Sequence, residues 1–282
     1  MKKAILLILL FVSTGLSAQE QILQGKIVDE NQSALAYVNI GLIGTTVGTV
    51  SNSEGLFKLT IKDLSQLINS TLRVSSIGYE TQEFALNSVV KDGELMIVMK
   101  ASTQQLNDVI ITPSDTKVYT EGRDKTNTAR QVNFSISTAQ NQNLGSEIGR
   151  KFELSNRKDN YLKNFKFYIK YNDFDQVKFR INIYTLEDGV PSEYLNSQNL
   201  IIEITDKKTG WIEVDLSELN LVVRGDIAIG AEWIEHSKNG RRLSLPMIVP
   251  SIGSTHFYKY GSQSDWKKFS SLSSAMLLTY EK

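Results

Sequence analysis

The sequence predicts an all-β protein made of two successive antiparallel sandwiches, the second of a jelly-roll kind. Three observations carry this. Apolar and polar residues alternate with the strand period of two, as where Val177, Phe179, Ile181 and Ile183 interleave with Lys178, Arg180 and Asn182. Clusters of Asn, Asp, Lys and Gly interrupt these runs about every eight to twelve residues, the spacing of sandwich turns. No period of 3.6 residues, which would mark a helix, occurs anywhere in residues 131–282.

The amino end reads differently. Met1-Lys2-Lys3 is followed by an apolar run from Ala4 to Val12 and by small residues to Ala18, the basic, apolar and small order of a secretory signal peptide. The run falls far short of the ~20 residues that span a bilayer as a helix, so residues 1–18 are expected to be a cleaved signal rather than an anchor. No later stretch is long and apolar enough to be a membrane helix. The chain has no cysteine, hence neither a disulfide nor a lipid on a thiol. An exported protein of the periplasm, the outer-membrane surroundings or the cell surface is expected.

Without Lys2 and Lys3 the chain carries 29 basic against 31 acidic side chains, a net charge of −2. The basic pairs Arg157-Lys158, Lys207-Lys208, Arg241-Arg242 and Lys267-Lys268 are scattered among turn residues and form no stripe, which argues against a nucleic-acid partner. The length after the signal suits two domains.

In residues 20–112 strands are expected at 22–28, 36–42, 55–61, 71–75 and 94–99. Val38, Ile40, Phe57, Leu59, Ile61, Leu72, Val74, Leu95 and Ile97 form the predicted core between two small sheets. A short helix through Leu64, Leu67 and Ile68 is expected to be capped by the Asp63 carboxylate. Residues 113–130, rich in Thr, Asp, Lys, Asn and Gly, bury too little to offset their ordering entropy and read as a linker. Residues 131–282 then open on Val132, Phe134 and Ile136 and continue through Phe165, Phe167, Ile169 and Tyr171, through Ile212, Val214 and Leu216, and through Ile227, Ile229, Ala231 and Trp233, each set expected on one buried face.

Short motifs in residues 20–112 resemble the carboxypeptidase regulatory-like family. Gly25-Lys26-Ile27-Val28-Asp29 is similar to the family's opening strand and turn, and Leu35-Ala36-Tyr37-Val38-Asn39-Ile40 to its second strand. Gly48-Thr49-Val50-Ser51-Asn52-Ser53-Glu54-Gly55-Leu56-Phe57 resembles its central hairpin, Ile77-Gly78-Tyr79 its Gly-Tyr element, and Leu106-Asn107-Asp108-Val109-Ile110-Ile111-Thr112 the strand that follows the domain in envelope members. The resemblance implies a seven-stranded prealbumin-like sandwich, a place beside TonB-dependent receptors of the envelope, and no peptidase activity of its own. The chain departs from the pattern at Ala34, at Ser51-Asn52 and at Asp108.

Reactive constellations are missing from the sequence. A carboxypeptidase-type zinc site needs two histidines and a carboxylate, and the only histidines, His236 and His256, stand in no metal-ligand spacing. Neither a Gly-x-Ser-x-Gly elbow nor a phosphate or dinucleotide loop occurs, and Gly41, Gly44 and Gly48 lie between strands with no helix to follow, as hairpin glycines do. Asp173 and Asp175 flank Phe174 as possible calcium ligands that lack further oxygens. Glu213, Asp215, Glu232 and Glu235 leave open a carboxylate-based glycosidase, against which Glu213 and Asp215 alternate with buried residues as a solvated face does.

The candidate ligand-binding residues are therefore His256, Tyr258, Tyr260 and Trp266, rings set beside polar loops in the manner of a glycan- or peptide-binding rim, with core packing as the alternative. The expected function is a non-enzymatic binding or scaffold protein with no metal and no cofactor, its second sandwich taking a glycan or an envelope protein. A glycan-active enzyme and an accessory of a TonB-dependent transporter are the competing readings.

Overall fold

The computed structural model describes residues 20–91, 94–102, 116–135 and 144–282. The signal segment and the strand motif at Leu106 to Thr112 lie outside them, as does Ile136. Among the described residues no helix is long and apolar enough to cross a membrane.

Among the described residues the first sandwich has seven strands: β1 (Gln21–Asp29), β2 (Asn39–Leu42), β3 (Gly48–Val50), β4 (Leu56–Ile61), β5 (Thr71–Ser75), β6 (Gln82–Ala85) and β7 (Glu94–Met99). They form a three-stranded sheet in the order β4-β1-β7 facing a four-stranded sheet in the order β3-β2-β5-β6. β1 pairs antiparallel with β4 and parallel with β7. Val38, Ile40, Phe57, Leu59, Ile61, Leu72, Val74 and Ile97 are buried between the sheets as the alternation predicts, and Leu95 packs at their margin. Each fully buried side chain of this size contributes roughly 1.5–3 kcal/mol.

Two local expectations need correction. A short helix α1 (Leu64–Leu67) is present, but the Asp63 carboxylate does not cap it; the Asp63 carbonyl accepts from the backbone N–H groups of Gln66 and Leu67 instead. A second one-turn helix, α2 (Leu86–Val89), buries Leu86 and Val89. The predicted strand 36–42 starts only at Asn39, because Tyr37 holds a φ of 58°, a left-handed conformation that ends strand geometry.

The second sandwich contains β8 (Val118–Arg123), β9 (Arg130–Ser135), β10 (Glu147–Phe152), β11 (Asn160–Ile169), β12 (Tyr171–Asn172), β13 (Gln176–Glu187), β14 (Val190–Tyr194) and β15 (Leu200–Thr205). It continues with β16 (Gly210–Asp215), β17 (Val222–Val223), β18 (Ile227–His236), β19 (Leu243–Ile248), β20 (Thr255–Lys259), β21 (Lys267–Ser270), β22 (Ser273–Ser274) and β23 (Met276–Glu281). One large sheet runs β14-β13-β18-β10-β20-β21, with β15 also on β13. Opposite it lie a sheet β16-β11-β23-β8, with β17 on β11, and a sheet β12-β19-β22, with β9 on β19. Phe179 stands at the centre of the core, with ring centroids 5.0 Å from Phe134 and 5.4 Å from Phe167.

Within the segment 113–130, read as a linker, residues 118–123 form a strand. Val118–Arg123 pairs along its length with β23, and Tyr119 stacks on Tyr280 at 5.7 Å. An edge strand needs partners for its backbone more than an apolar face, so its polar composition hid it. Tyr171, expected inward, is 40% exposed because β11 ends at Ile169 and β12 begins anew.

The larger correction concerns β13, β18 and β10. The core faces of β13 and β18 are buried as predicted, β10 is a strand that the sequence analysis did not single out, and the opposite faces of all three are buried too: Arg180, Asn182, Glu232 and Glu147 are all within 2% of complete burial. That second face is covered by β14, by the 260–266 segment and by the first sandwich.

Candidate functional site

Of the four predicted ligand residues, the structure gathers three. His256 and Tyr258 on β20, with Tyr260 just beyond it, point to the same side, as alternation requires, and line a groove of about 290 Å³ with Val132, Met247 and Phe269. Tyr258 is buried and donates its hydroxyl to the Asn133 carbonyl at 3.0 Å. Tyr260 is 44% exposed, its ring edge-on to Tyr258 with centroids 4.4 Å apart. His256 lies at the groove's floor, with Nδ1 3.3 Å from Ser274 Oγ, and burial and then the nearby Arg150 guanidinium push its pKa down to about 4. It is a neutral imidazole at physiological pH, able to exchange one hydrogen bond but carrying no charge.

Trp266 is not part of this groove. It sits on the other side of β20, where its ring meets Tyr184 at 5.6 Å and Phe257 at 6.2 Å and lies 5.1 Å from Lys259 Nζ. The groove thus combines two exposed rings, Tyr260 and Phe269, an apolar wall and the amides of Gln131 and Asn133, which are hydrogen-bonded to each other at 3.0 Å. Such a surface can stack on the apolar face of a sugar or grip a peptide side chain. A larger depression of about 610 Å³ is lined mainly by polar groups such as Lys151, Asn156, Asp226 and Lys268, and no predicted residue falls in it.

A buried polar cluster beneath the first sandwich joins Glu232, singled out in the sequence as a candidate carboxylate, to Arg180, Asn182, Glu147 and Lys259, which are not. Arg180 donates from Nε to Glu232 Oε2 at 2.8 Å, and from Nη1 to the Tyr37 carbonyl at 2.7 Å and to Asn199 Oδ1 at 3.2 Å. The Asn182 amide bridges Glu232 Oε2 at 2.8 Å and Glu147 Oε1 at 3.1 Å. Glu147 in turn accepts from the Tyr184 hydroxyl at 2.9 Å and meets Lys259 Nζ at 3.4 Å. Gly230 makes this possible, since a Cβ there would stand 2.2 Å from Glu147 Oε1. Burial raises the pKa of Glu147, with Lys259 offsetting part of the effect. Burial also works to raise that of Glu232, but Arg180 and Lys259 outweigh it and hold it below the usual carboxylate range.

The other carboxylates singled out in the sequence are spoken for. Glu213 pairs with Lys166 on the solvated face, and Glu235 with Lys178 at 2.8 Å. Asp173 accepts from the backbone N–H groups of Arg241 and Arg242, and Asp175 faces Lys207 at 3.4 Å on the surface. His236 packs against Trp233 and Phe174.

The two sandwiches also meet at segment 261–264. Ser262 Oγ donates to the Ile40 carbonyl at 2.6 Å, Gln263 Nε2 to Ser75 Oγ at 2.9 Å, and Ser264 Oγ to the Thr45 carbonyl at 2.5 Å. Gly41 and Gly48, a cross-strand pair of β2 and β3, leave the space Ser262 occupies: a Cβ on Gly48 would lie 2.6 Å from Ser262 Oγ. The signal available in the sequence was the run Ile227 to Ile234, in which Glu232 is the lone polar side chain, the pattern of a strand covered on both faces.

Comparison with known proteins adds the following. Residues 23–111 match the CarboxypepD_reg-like domain. The chain is 26% identical over 102 residues to the TonB-dependent receptor SusC of Bacteroides thetaiotaomicron, a match covering 36% of this chain and 9% of that protein. The chain therefore spans less than a tenth of the length of the curated relative it matches. Among solved structures, the cysteine protease and lectin-like domains of Cwp84, a surface layer associated protein of Clostridium difficile, are 12% identical, over 88% of this chain and 58% of that one, with a TM-score of 0.42. The 3-chlorocatechol 1,2-dioxygenase of Rhodococcus opacus 1CP is 12% identical, over 30% of this chain and 61% of that one, at a TM-score of 0.20. Likenesses at these scores carry no argument about function.

Proposed function

We propose that this chain is an exported, non-enzymatic binding or scaffold protein of the cell envelope, whose second sandwich takes up a glycan or a protein surface in the groove of Tyr258, Tyr260 and Phe269. The observation that carries this reading is the ring of Tyr260, exposed to solvent yet held edge-on to a buried neighbour, with an apolar wall and amide edges around it. A ring fixed in this way gives contact area at little further entropic cost. The likeness of the first sandwich to part of a TonB-dependent receptor supports the envelope setting. The burial of Glu232 and its commitment to Arg180 weigh against a glycosidase built on that carboxylate.

The test is a glycan-array and envelope pull-down screen of the mature chain beside its Tyr260→Ala variant. Saturable capture of a glycan or of a defined envelope protein, weakened about tenfold or more in the variant as expected for loss of a binding aromatic, supports the reading. Binding that ignores the substitution, or no binding by the native chain, defeats it.

A further inference from the structure

Tyr260, the more exposed of the two rings of the groove, is tethered on both sides. The residue before it, Lys259, is buried, its ammonium lying between the Glu147 carboxylate and the face of Trp266. The residue after it, Gly261, begins segment 261–264, and a Cβ there would stand 3.0 Å from the Thr46 carbonyl of the first sandwich. From that point the chain belongs as much to the first sandwich as to the second. Ser262, Gln263 and Ser264 all donate to groups of residues 40–75, and the Gly44 N–H donates back to the Gln263 carbonyl at 3.1 Å. Ser262 is enclosed on a third side by Gly145, where a Cβ would lie 2.6 Å from its own.

A second anchorage lies at Tyr37. Its carbonyl receives Arg180, its hydroxyl accepts from Lys178 Nζ at 2.8 Å, and its ring packs with Val50 and Ile234. The two anchorages are joined across the large sheet by one line of buried polar groups, Arg180, Glu232, Asn182, Glu147 and Lys259, and this line ends at the residue that precedes Tyr260. Packed interiors give way in steps rather than continuously, so freeing one anchorage is felt along such a line.

We propose that the first sandwich is the positioning element of the aromatic groove: seated on segment 261–264 and on Arg180, it fixes Tyr260 over Tyr258, and the groove keeps its shape only while that seat is occupied. This goes beyond the binding reading, since it concerns the shape of the groove before anything enters it. Its consequence is reciprocal coupling. A partner that grips the first sandwich and lifts it from segment 261–264 releases Tyr260, and a ligand that holds Tyr260 tightens the seat by the same factor.

The test is amide hydrogen exchange on the full mature chain without ligand, comparing the native protein with Gly48→Val, which drives a side chain into Ser262, and with Ser262→Ala, which removes the hydroxyl bonded to the Ile40 carbonyl and changes no volume in the hairpin. The expected result is exchange at least tenfold faster across residues 255–260 in at least one variant, beyond the contact itself, with β11 and β23 on the opposite sheet unchanged. Exchange across 255–260 that stays native in both variants overturns the proposal. So does uniform acceleration that includes β11 and β23 in the mild Ser262→Ala variant, which would mean a general loss of stability. Neither result bears on whether Tyr260 binds a ligand, which the Tyr260→Ala screen decides.

Discussion

Replacing Arg180 by Met tests the buried polar line at its most constrained member. The guanidinium is 1% exposed and its partner Glu232 is 0% exposed, with Nη2 and Nε each 2.8 Å from Oε2. Methionine keeps the length of the side chain and removes the charge. Glu232 then remains a buried carboxylate held only by the Asn182 amide and the field of Lys259; breaking such a pair usually costs about 3–5 kcal/mol, and the Tyr37 carbonyl loses its donor, worth about 1–3 kcal/mol more unless water replaces it. A loss of about 4 kcal/mol or more is therefore expected in urea unfolding followed by fluorescence, with Trp233, the neighbour of Glu232, buried and reporting. The double variant Arg180→Met, Glu232→Gln removes both charges and is expected to recover at least half of the loss, because a buried pair is far more costly to break than to replace. The sign of the pH dependence follows. In the native chain Glu232 is held below its ordinary pKa, so its contribution is present above about 4.5 and is lost as pH falls through the lower folded value. Without Arg180 the upward pull of burial is opposed only by Lys259 and the Asn182 amide, so the pKa rises from its native position, and the deficit of the single variant is largest at neutral pH and shrinks as the solution is acidified. A single variant that loses less than about 1 kcal/mol, or a double variant as unstable as the single, would refute the account of this network.

Two further outcomes are expected. His256 has a folded pKa of about 4 against 6.5 when free, so the unfolded chain binds the extra proton first; its contribution is complete above 6.5 and falls by about 3 kcal/mol as pH drops from 6.5 through 4, and His256→Gln should remove that slope from a stability titration. Gly230→Ala places a methyl group where the Glu147 carboxylate lies, and the buried carboxylate has no solvent to move into, so unfolding free energy should drop by about 1–3 kcal/mol with the m-value unchanged.

Much of this fold was legible because most strands have one apolar face and the period of two marks it. Phe165, Phe167 and Ile169 of β11, and Ile212 and Val214 of β16, are buried where alternation puts them. The seven strands of the first sandwich agree with what its motifs imply. Edge strands escaped notice for the opposite reason: β8 buries little, and only its pairing with β23 makes it a strand. In the groove, alternation placed His256, Tyr258 and Tyr260 together, but Trp266 follows a turn after which the phase restarts, and it falls on the far side of β20.

The interface between the sandwiches was hidden by the rule that made the strands visible. Alternation assigns the polar partner of each apolar residue to solvent, so Arg180 and Asn182 read as an outer face, while Glu232 is weighed only as a candidate glycosidase carboxylate. That inference holds only where nothing covers the face, and here the first sandwich and segment 260–266 cover it. A lone charge in a strand whose other outward residues are small, as Glu232 is beside Ala228 and Gly230, signals a covered face, because a solvated strand has no reason to exclude longer polar side chains there. The same logic applies to Gly41 and Gly48. Neither has a positive φ, so neither is required by hairpin bending; what requires them is close approach, of Ser262 at Gly48 and of both the Val47 carbonyl and Ser262 at Gly41. Glycines in strands without left-handed backbone, and isolated charges in otherwise apolar or small surroundings, are thus two independent marks of one buried surface, and in this chain both point to the contact that holds Tyr260 in place.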